Sequence, residues 1–509
     1  MIKINTIKPQ GMTAEAATIE IEKVPGVGIH CQATPQVAVK EALLLALTAL
    51  SSIGCNYQQK GTNIKTTPWN GVISSRITLP LAIGLHAMNT GESFPYLDRF
   101  VIVGSVRLDG SVGRVGYWMQ AAEVAKQTGR ALILPTESAN LAADVFGNEV
   151  DIYGVSHLEE AFAILKGDAP ERFLTKAGSA KYPNQDDNLP LTWNLLRMDP
   201  DKVRAIEIAA AGGHSMMLLG VPGSGKAMCA KALTQVLPPM TEEENRETQR
   251  AYSFASEPIR LGVRPFVASS NISSVRVYVG DHSSPGRMPL AHNGVLFLDD
   301  ISCLTSAVKA VFEDALRKKS VSVAFQQESY TYPARFIGVF AANTCACGYD
   351  GEGDRCTCTP GQKQAYLNRL TQNSSFMTMQ VKVKTAPNSA TQYGDTLSEA
   401  QTKVANARAI QLERNRGCLN EDLESNTARA ILSEDENTNA ALIDYIYTLL
   451  EKMHLPCRAL TAICKIARTI ADLEGAEDVA KEHILEAVNY RALDKLESDF
   501  RNSLKDREV

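Results

Sequence analysis

The chain has no long apolar run. Across its 509 residues no stretch of about 18 stays apolar, so no membrane-spanning helix is expected. Its first residues, MIKINTIKPQGMTAEAATIEIEK, hold no apolar block of signal-peptide length, and a cytoplasmic location is expected. Positive charge is not in excess either. The formal net charge is -5, so any contact with nucleic acid must be local, in loops or a pore. Lysines and arginines are spread without a dense stripe, and no single DNA-contact residue stands out. A secreted disulfide framework is also excluded: the 11 cysteines are an odd number and most stand alone, as reduced thiols do. Internal repeats and low-complexity tracts are missing. What remains is ordinary globular material, 44% hydrophobic and 21% charged, long enough for about three domains.

Residues 1–167 read as one α/β domain. TIEIEKVPGVGIHC (18–31) alternates as a strand does and then turns, and TPQVAVKEALLLALTALSSIG (34–54) has helical spacing with a glycine end. FVIVGSVRLDGSVGRV (100–115) predicts two strands joined at Asp109-Gly110, followed by a helix (YWMQAAEVAKQTG) and a buried strand (ALILP). The polar, proline-containing stretch in 168–195 reads as a linker. Over 196–395 the order changes to short apolar strands separated by helices: SMMLLG, GVLFLDD and ARFIGVFAAN. Each ends in polar residues, which describes an open parallel sheet with its site along one edge. Residues 396–509 are almost wholly helical.

GVPGSGKA (220–227) follows the first of these strands and opens a helix. Gly220, Gly223 and Gly225 let the backbone wrap a phosphate, Ser224 lies between them, and the helix N-terminus offers free N–H groups. Lys226 would reach the β and γ phosphates of ATP. The pattern G-x-x-x-x-G-K-[ST] requires a hydroxyl next, and here Ala227 stands there. Asp299 ends a buried strand and is placed to act on Mg²⁺. Asp300 follows, where a hydrolase usually carries the glutamate that orients water. The plainer reading is that two acids solvate a strand end. Asn343 ends the third strand, where it would hold the γ-phosphate or water, although asparagine is also a common turn residue.

CACGYDGEGDRCTC (345–358) carries two C-x-C pairs, Cys345/Cys347 and Cys356/Cys358. Four thiolates can close a tetrahedral Zn²⁺ site, structural because every coordination place is filled. The alternative is four reduced thiols in a loop.

AAAGGHSMMLLGVPGSGK, LAHNGVLFLDD, YPARF, CTPGQ, YLNR and ARTIADLEG, in this order, resemble the magnesium-chelatase-like AAA+ ATPases. The likeness runs along nearly the whole chain and is strongest to the ComM (YifB) competence-protein family. It implies a Lon-protease-like N-terminal domain, related to a ribosomal-protein S5 fold and here without a serine–lysine dyad. It also implies an AAA+ P-loop core and a helical lid, assembled as a homo-oligomeric ring, usually a hexamer. The family's activity is ATP-driven branch migration on DNA; chelatase relatives drive metal insertion into a porphyrin. By the resemblance Lys226 is the Walker A lysine, Asp299 the Walker B aspartate, Asn343 the sensor-1 residue and Arg458, in LPCRAL, the sensor-2 arginine. Read alone, Arg458 is an ordinary charge at a helix start.

The departures from the family cluster at the chemistry. Ala227 removes a Mg²⁺ ligand and Asp300 shortens the catalytic acid. YLNRLTQNSSFMTMQVKV lacks the later arginine that serves as a finger across the subunit boundary; Arg369 does not occupy that place. RPFVASSN (264–271) stands where RPFRSPHH is usual, and the segment after residue 317 looks short. Arg287 and Arg317 are candidate substitutes for the finger. A finger supplied in trans is worth about 10³–10⁵ in rate. Slow or absent hydrolysis with retained binding is therefore expected, as in a nucleotide-gated adaptor partnering an active paralogue.

Overall fold

The computed structural model describes residues 1–505 except 11, 32–35, 56–60, 68–76, 169, 183–188, 255–257, 271–273, 282–283, 326–327, 352, 375 and 385–392. Part of the expected linker (183–188), Asn271 of RPFVASSN and Glu352 of the cysteine loop thus lie outside the described residues.

The first sheet is built from β1 (Ile2–Gln10), β2 (Thr13–Lys23), β3 (Ile29–Cys31), β4 (Thr62–Thr67), β5 (Phe100–Ile102), β8 (Ala131–Pro135) and β9 (Ile152–Val155), in the order β3-β4-β2-β1-β5-β8-β9. Period-two alternation gives it two apolar faces. Ile4 pairs with Ile19, and both face the helices Gln36–Ser52 and Thr78–Thr90. Ile7 and Val101 face the other way, onto Trp118–Thr128 and Thr136–Phe146. The turn expected at Asp109-Gly110 is there but its strands are short: β6 (Ser105–Val106) pairs with β7 (Val112–Gly113) outside the main sheet. Asp109 Oδ1 accepts from Ser111 N–H at 3.0 Å, and Gly110 takes φ 84°. Within the stretch read as a linker, Leu174 bridges to Tyr153 and the Tyr182 hydroxyl donates to Asp144 at 2.7 Å.

The second sheet holds β10 (Met216–Leu219), β11 (Phe266–Ser269), β14 (Val295–Leu298), β17 (Ile337–Ala342) and β18 (Met379–Lys382). Its order is β11-β14-β17-β10-β18, and each neighbouring pair is parallel. Helices cover both faces, so its strands read as unbroken apolar runs. Met216 and Leu218 face one core, Met217 and Leu219 the other. Two hairpins interrupt the alternation, β12 (Gly280–Asp281) with β13 (Ser284–Pro285), and β15 (Ser320–Phe325) with β16 (Glu328–Pro333). The second of these fills the segment after residue 317 that reads as short.

The C-terminal helices share a core with the sheet: Val404, Leu460 and Ile463 pack in the same cluster as Met216 and Leu218. A polar joint sits beside it. The buried His214 ring contacts Glu421 at 2.7 Å through Nδ1 and the Thr469 hydroxyl at 2.8 Å through Nε2. The first sheet's helix Trp118–Thr128 meets the helix Glu242–Tyr252 of the core, where Arg250 bonds Glu123 at 2.7 Å and Ser253 donates to Gln120 Oε1 at 3.2 Å.

One buried acid ties stability to pH. Glu207 is 2% exposed, and burial together with the neighbouring Asp395 pushes its carboxyl up to about 7. The fold therefore favours the protonated form. Its contribution is complete below the ordinary glutamate pKa of about 4.3 and is lost as pH rises toward the folded value. Glu207→Gln, which stays neutral, should barely change stability near pH 4 and gain about 3 kcal/mol by pH 8. Urea unfolding of both proteins across that range measures the gain, and a pH-independent difference would refute it.

Candidate functional site

The C-terminal ends of the parallel strands collect the site. β10 ends at Leu219 and passes through Gly220–Gly225 into the helix Lys226–Val236. Gly223 and Gly225 have φ 82° and 92°, the left-handed region that side chains disfavour. A Cβ on Gly220 would lie 2.5 Å from the Val383 carbonyl oxygen and 2.7 Å from Ser224 Oγ, so the loop closes only around glycine there. Ser224 is buried with its hydroxyl unpaired. Ala227 is exposed in the first turn of the helix and presents only a methyl group.

Lys226 folds over the loop. Its Nζ donates to the Gly220 and Val221 carbonyls at 2.8 and 3.0 Å and to Asn343 Oδ1 at 3.4 Å. Burial pushes its pKa down, while Asp299 and Asp300 pull it up. Asn343, from the end of β17, thus contacts the ammonium, and Asp299 and Asp300, from the end of β14, bear on it electrostatically. Asp299 is exposed, and its backbone N–H continues the ladder to the Ser269 carbonyl at 3.0 Å. Asp300 is held differently. It takes φ 60°, and its Oδ1 accepts from Ser302 N–H at 3.0 Å and Ser302 Oγ at 2.6 Å. Its carboxylate caps the short turn Ile301–Cys303. Asp-x-Ser is a local capping pattern, so this role was readable in Asp300-Ile301-Ser302.

The remaining arginines lie elsewhere. Arg458 precedes the helix Ala459–Leu473 and bonds Asp494 at 3.1 Å, with 45% of its side chain exposed. Among the described residues no hydrogen bond or ion pair joins it to Lys226, Asp299 or Asn343. Arg287 donates to the Ala268 carbonyl, Arg317 pairs with Asp314 at 2.8 Å, and Arg369 is exposed.

The four cysteines of the loop converge. All four Sγ atoms lie within 4.8 Å of one another. Cys345 Sγ is 3.2 Å from Cys347 Sγ and 3.8 Å from Cys356 Sγ, and Cys347 N–H donates to Cys358 Sγ at 3.3 Å. Zn–S bonds of about 2.3 Å in a tetrahedron put sulfurs about 3.8 Å apart, so the set fits zinc. The Tyr349 backbone N–H and the Cys345 thiol draw the Cys347 thiol down to about 5.

Comparison with known proteins agrees with this geometry. The family described as magnesium chelatase, subunit ChlI, matches residues 196–391, and its C-terminal family matches 394–491. The competence protein ComM of Haemophilus influenzae is 30% identical over 501 residues, 96% of each chain. The chain belongs to the ComM/YifB family of magnesium-chelatase-like proteins. The uncharacterized protein YifB of Salmonella typhimurium is 29% identical over 97% of each chain, and an uncharacterized Mycobacterium tuberculosis protein is 27% identical over 96% of this chain. This ComM-type chain has the mixed α/β fold with a parallel-sheet core and a helical C-terminal region. No helix among its described residues is long and apolar enough to cross a membrane.

Lys226 lies over the Gly220–Gly225 loop, with its ammonium on the Gly220 and Val221 carbonyls. Charged hydrogen bonds are worth about 1.5–3 kcal/mol each, so Lys226→Ala should weaken nucleotide binding about 10²-fold or more. Isothermal titration with ADP measures the change, and an unaltered affinity would remove this loop from nucleotide binding.

Proposed function

We propose that this ComM/YifB-type protein binds Mg-ATP in the Gly220–Ala227 loop and hydrolyses it slowly or not at all. The single observation that carries the reading is the state of Asp300. Its carboxylate is engaged by Ser302, one methylene short of the usual glutamate, beside a position 227 that offers no Mg²⁺ ligand. Binding is served by groups that remain: three glycines, the helix N-terminus, Lys226 and Asn343. Asp299 is the carboxylate left for Mg²⁺. A misplaced catalytic group costs about 10²-fold in rate, and an absent finger costs more.

In this reading the chain forms a homo-oligomeric ring, a hexamer by family habit, in the cytoplasm. It acts in DNA processing as ComM relatives do. The form most compatible with Asp300 and Ala227 is a nucleotide-gated structural or adaptor subunit, with an active paralogue supplying the missing groups. A motor that migrates DNA branches requires turnover, and a chelatase ATPase subunit requires a tetrapyrrole partner that no residue here calls for. Cys345, Cys347, Cys356 and Cys358 hold a structural Zn²⁺.

ATP turnover measured beside ATP binding, with and without branched DNA, separates these readings. Background turnover with intact binding is expected, and Ala227→Ser with Asp300→Glu should raise it about 10-fold or more. DNA-stimulated turnover well above a Lys226→Ala control would refute impairment and restore the motor. Elemental analysis should find about one zinc per chain; a content below about 0.2 would rule the metal out.

A further inference from the structure

The cysteine loop is not a distant appendage of the nucleotide site. It leaves β17 at Asn343, whose Oδ1 touches Lys226. Two residues later the buried Cys345 starts a tight turn, with Gly348 N–H donating to the Cys345 carbonyl at 2.9 Å and the Thr344 hydroxyl donating to the Gly348 carbonyl at 3.3 Å. That turn sets the Gly348 backbone against the phosphate loop. A Cβ on Gly348 would lie 3.1 Å from both Cγ and Cδ of Pro222 and 3.8 Å from Asn343 Cγ. Gly348 has φ 91°, so both its conformation and its surroundings demand glycine. Pro222 lies between Gly220 and Gly223. One wall of the phosphate loop is therefore the first C-x-C turn.

We propose that this four-cysteine knuckle is a positioning element of the nucleotide site, so that zinc occupancy sets nucleotide affinity. The inference rests on both the nucleotide and the zinc readings above. Without a cross-link, the chain from Cys345 to Cys358 must be ordered by weak contacts, and that entropy is lost when the phosphate loop closes on a ligand. Four thiolates gathered on one ion impose the order beforehand. Gly348 then holds Pro222, and Asn343 is held where it meets Lys226. Coupling of two sites is reciprocal: whatever factor zinc adds to nucleotide affinity, nucleotide must add to zinc affinity.

The test uses the full-length chain and ADP, which binds without turnover. ADP affinity is measured by calorimetry in constant Mg²⁺, on protein as purified, after zinc removal with a zinc-selective chelator, and after zinc is restored. Removal should weaken ADP binding by about 5- to 150-fold, and restoration should recover it. Saturating ADP should raise zinc affinity by the same factor, read with a chromophoric chelator. Gly348→Ala should keep its zinc yet bind ADP at least about 5-fold more weakly. If the stripped chain unfolds by circular dichroism, this variant decides the matter, since zinc retained with unchanged ADP affinity overturns the proposal. Zinc that comes off with ADP affinity unchanged also overturns it, leaving both earlier readings intact. A chain that binds ADP but no zinc overturns it together with the zinc reading alone. A zinc-loaded chain that binds no ADP overturns it together with the nucleotide reading.

Discussion

The site depends on one four-residue strand held from every side. Met216–Leu219 is bonded to β17 on one flank and to β18 on the other, and its side chains are buried on both faces. Its end is therefore fixed in space, and the chain must leave it at Gly220 under the Val383 carbonyl. The glycines that follow do not confer looseness. They permit a tight path, with Gly223 and Gly225 at φ 82° and 92°, that a side chain would disfavour. β17 and β18 end level with Leu219 and β14 ends two residues earlier, so Asn343 and Asp299 both follow strand ends on this edge of the sheet.

On the proposed nucleotide-binding reading, this construction separates holding a nucleotide from breaking it. Holding draws on backbone conformation and one lysine, both consequences of the buried strand. Breaking draws on side chains at two positions just past the ordered framework, 227 and 300. Ala227 is exposed in the helix's first turn, and an alanine there costs the fold nothing. Asp300 has even acquired a local use: with φ 60° it caps the turn to Ile301–Cys303 through Ser302. Asparagine and aspartate tolerate that conformation better than glutamate, whose longer chain does not form the same two-residue cap. The substitution that shortens the acid thus also suits the backbone that carries it.

Much of this was legible in the residues, because local signals and burial agree there. The apolar runs at 216–219, 295–298 and 337–342 read as buried strands, and the loop after the first had the glycines at the spacing phosphate binding needs. The helix Gln36–Ser52 and the asparagine ending β17 followed from periodicity and position. Other features were not readable. The strands around Asp109-Gly110 are only two residues long because the main sheet claims Phe100–Ile102 first. The hairpin β15–β16 is an exception: its period-two alternation, with Val321 opposite Tyr332, Ser322 opposite Thr331 and Val323 opposite Tyr330, is visible in SVSVAF and ESYTYP. The packing of Gly348 on Pro222 joins residues 126 positions apart, and no pattern within either segment announces it.

The polar joint at His214 ties the root of β10 to the C-terminal helices. His214 stands two residues before β10 and is wholly buried; Glu421, its partner, belongs to the helical region and has its carboxyl held below the usual range despite burial, by His214 and Lys465. Removing one member of a buried pair costs about 3–5 kcal/mol, because the other is left without compensation. Around the joint, Asn420, Asp472 and Arg414 form a further network, with Arg414 bonding Asp472 at 2.6 and 2.9 Å. The strand that ends in the phosphate loop thus begins in a lattice of buried charges shared with the lid. Arg458 lies within the same helical region, where it bonds the buried carboxylate of Asp494 that Arg491 also engages. Relative motion of the core and the C-terminal helices is therefore resisted at the His214 joint, whereas the Arg458–Asp494 pair is internal to the helical region and does not bear on it.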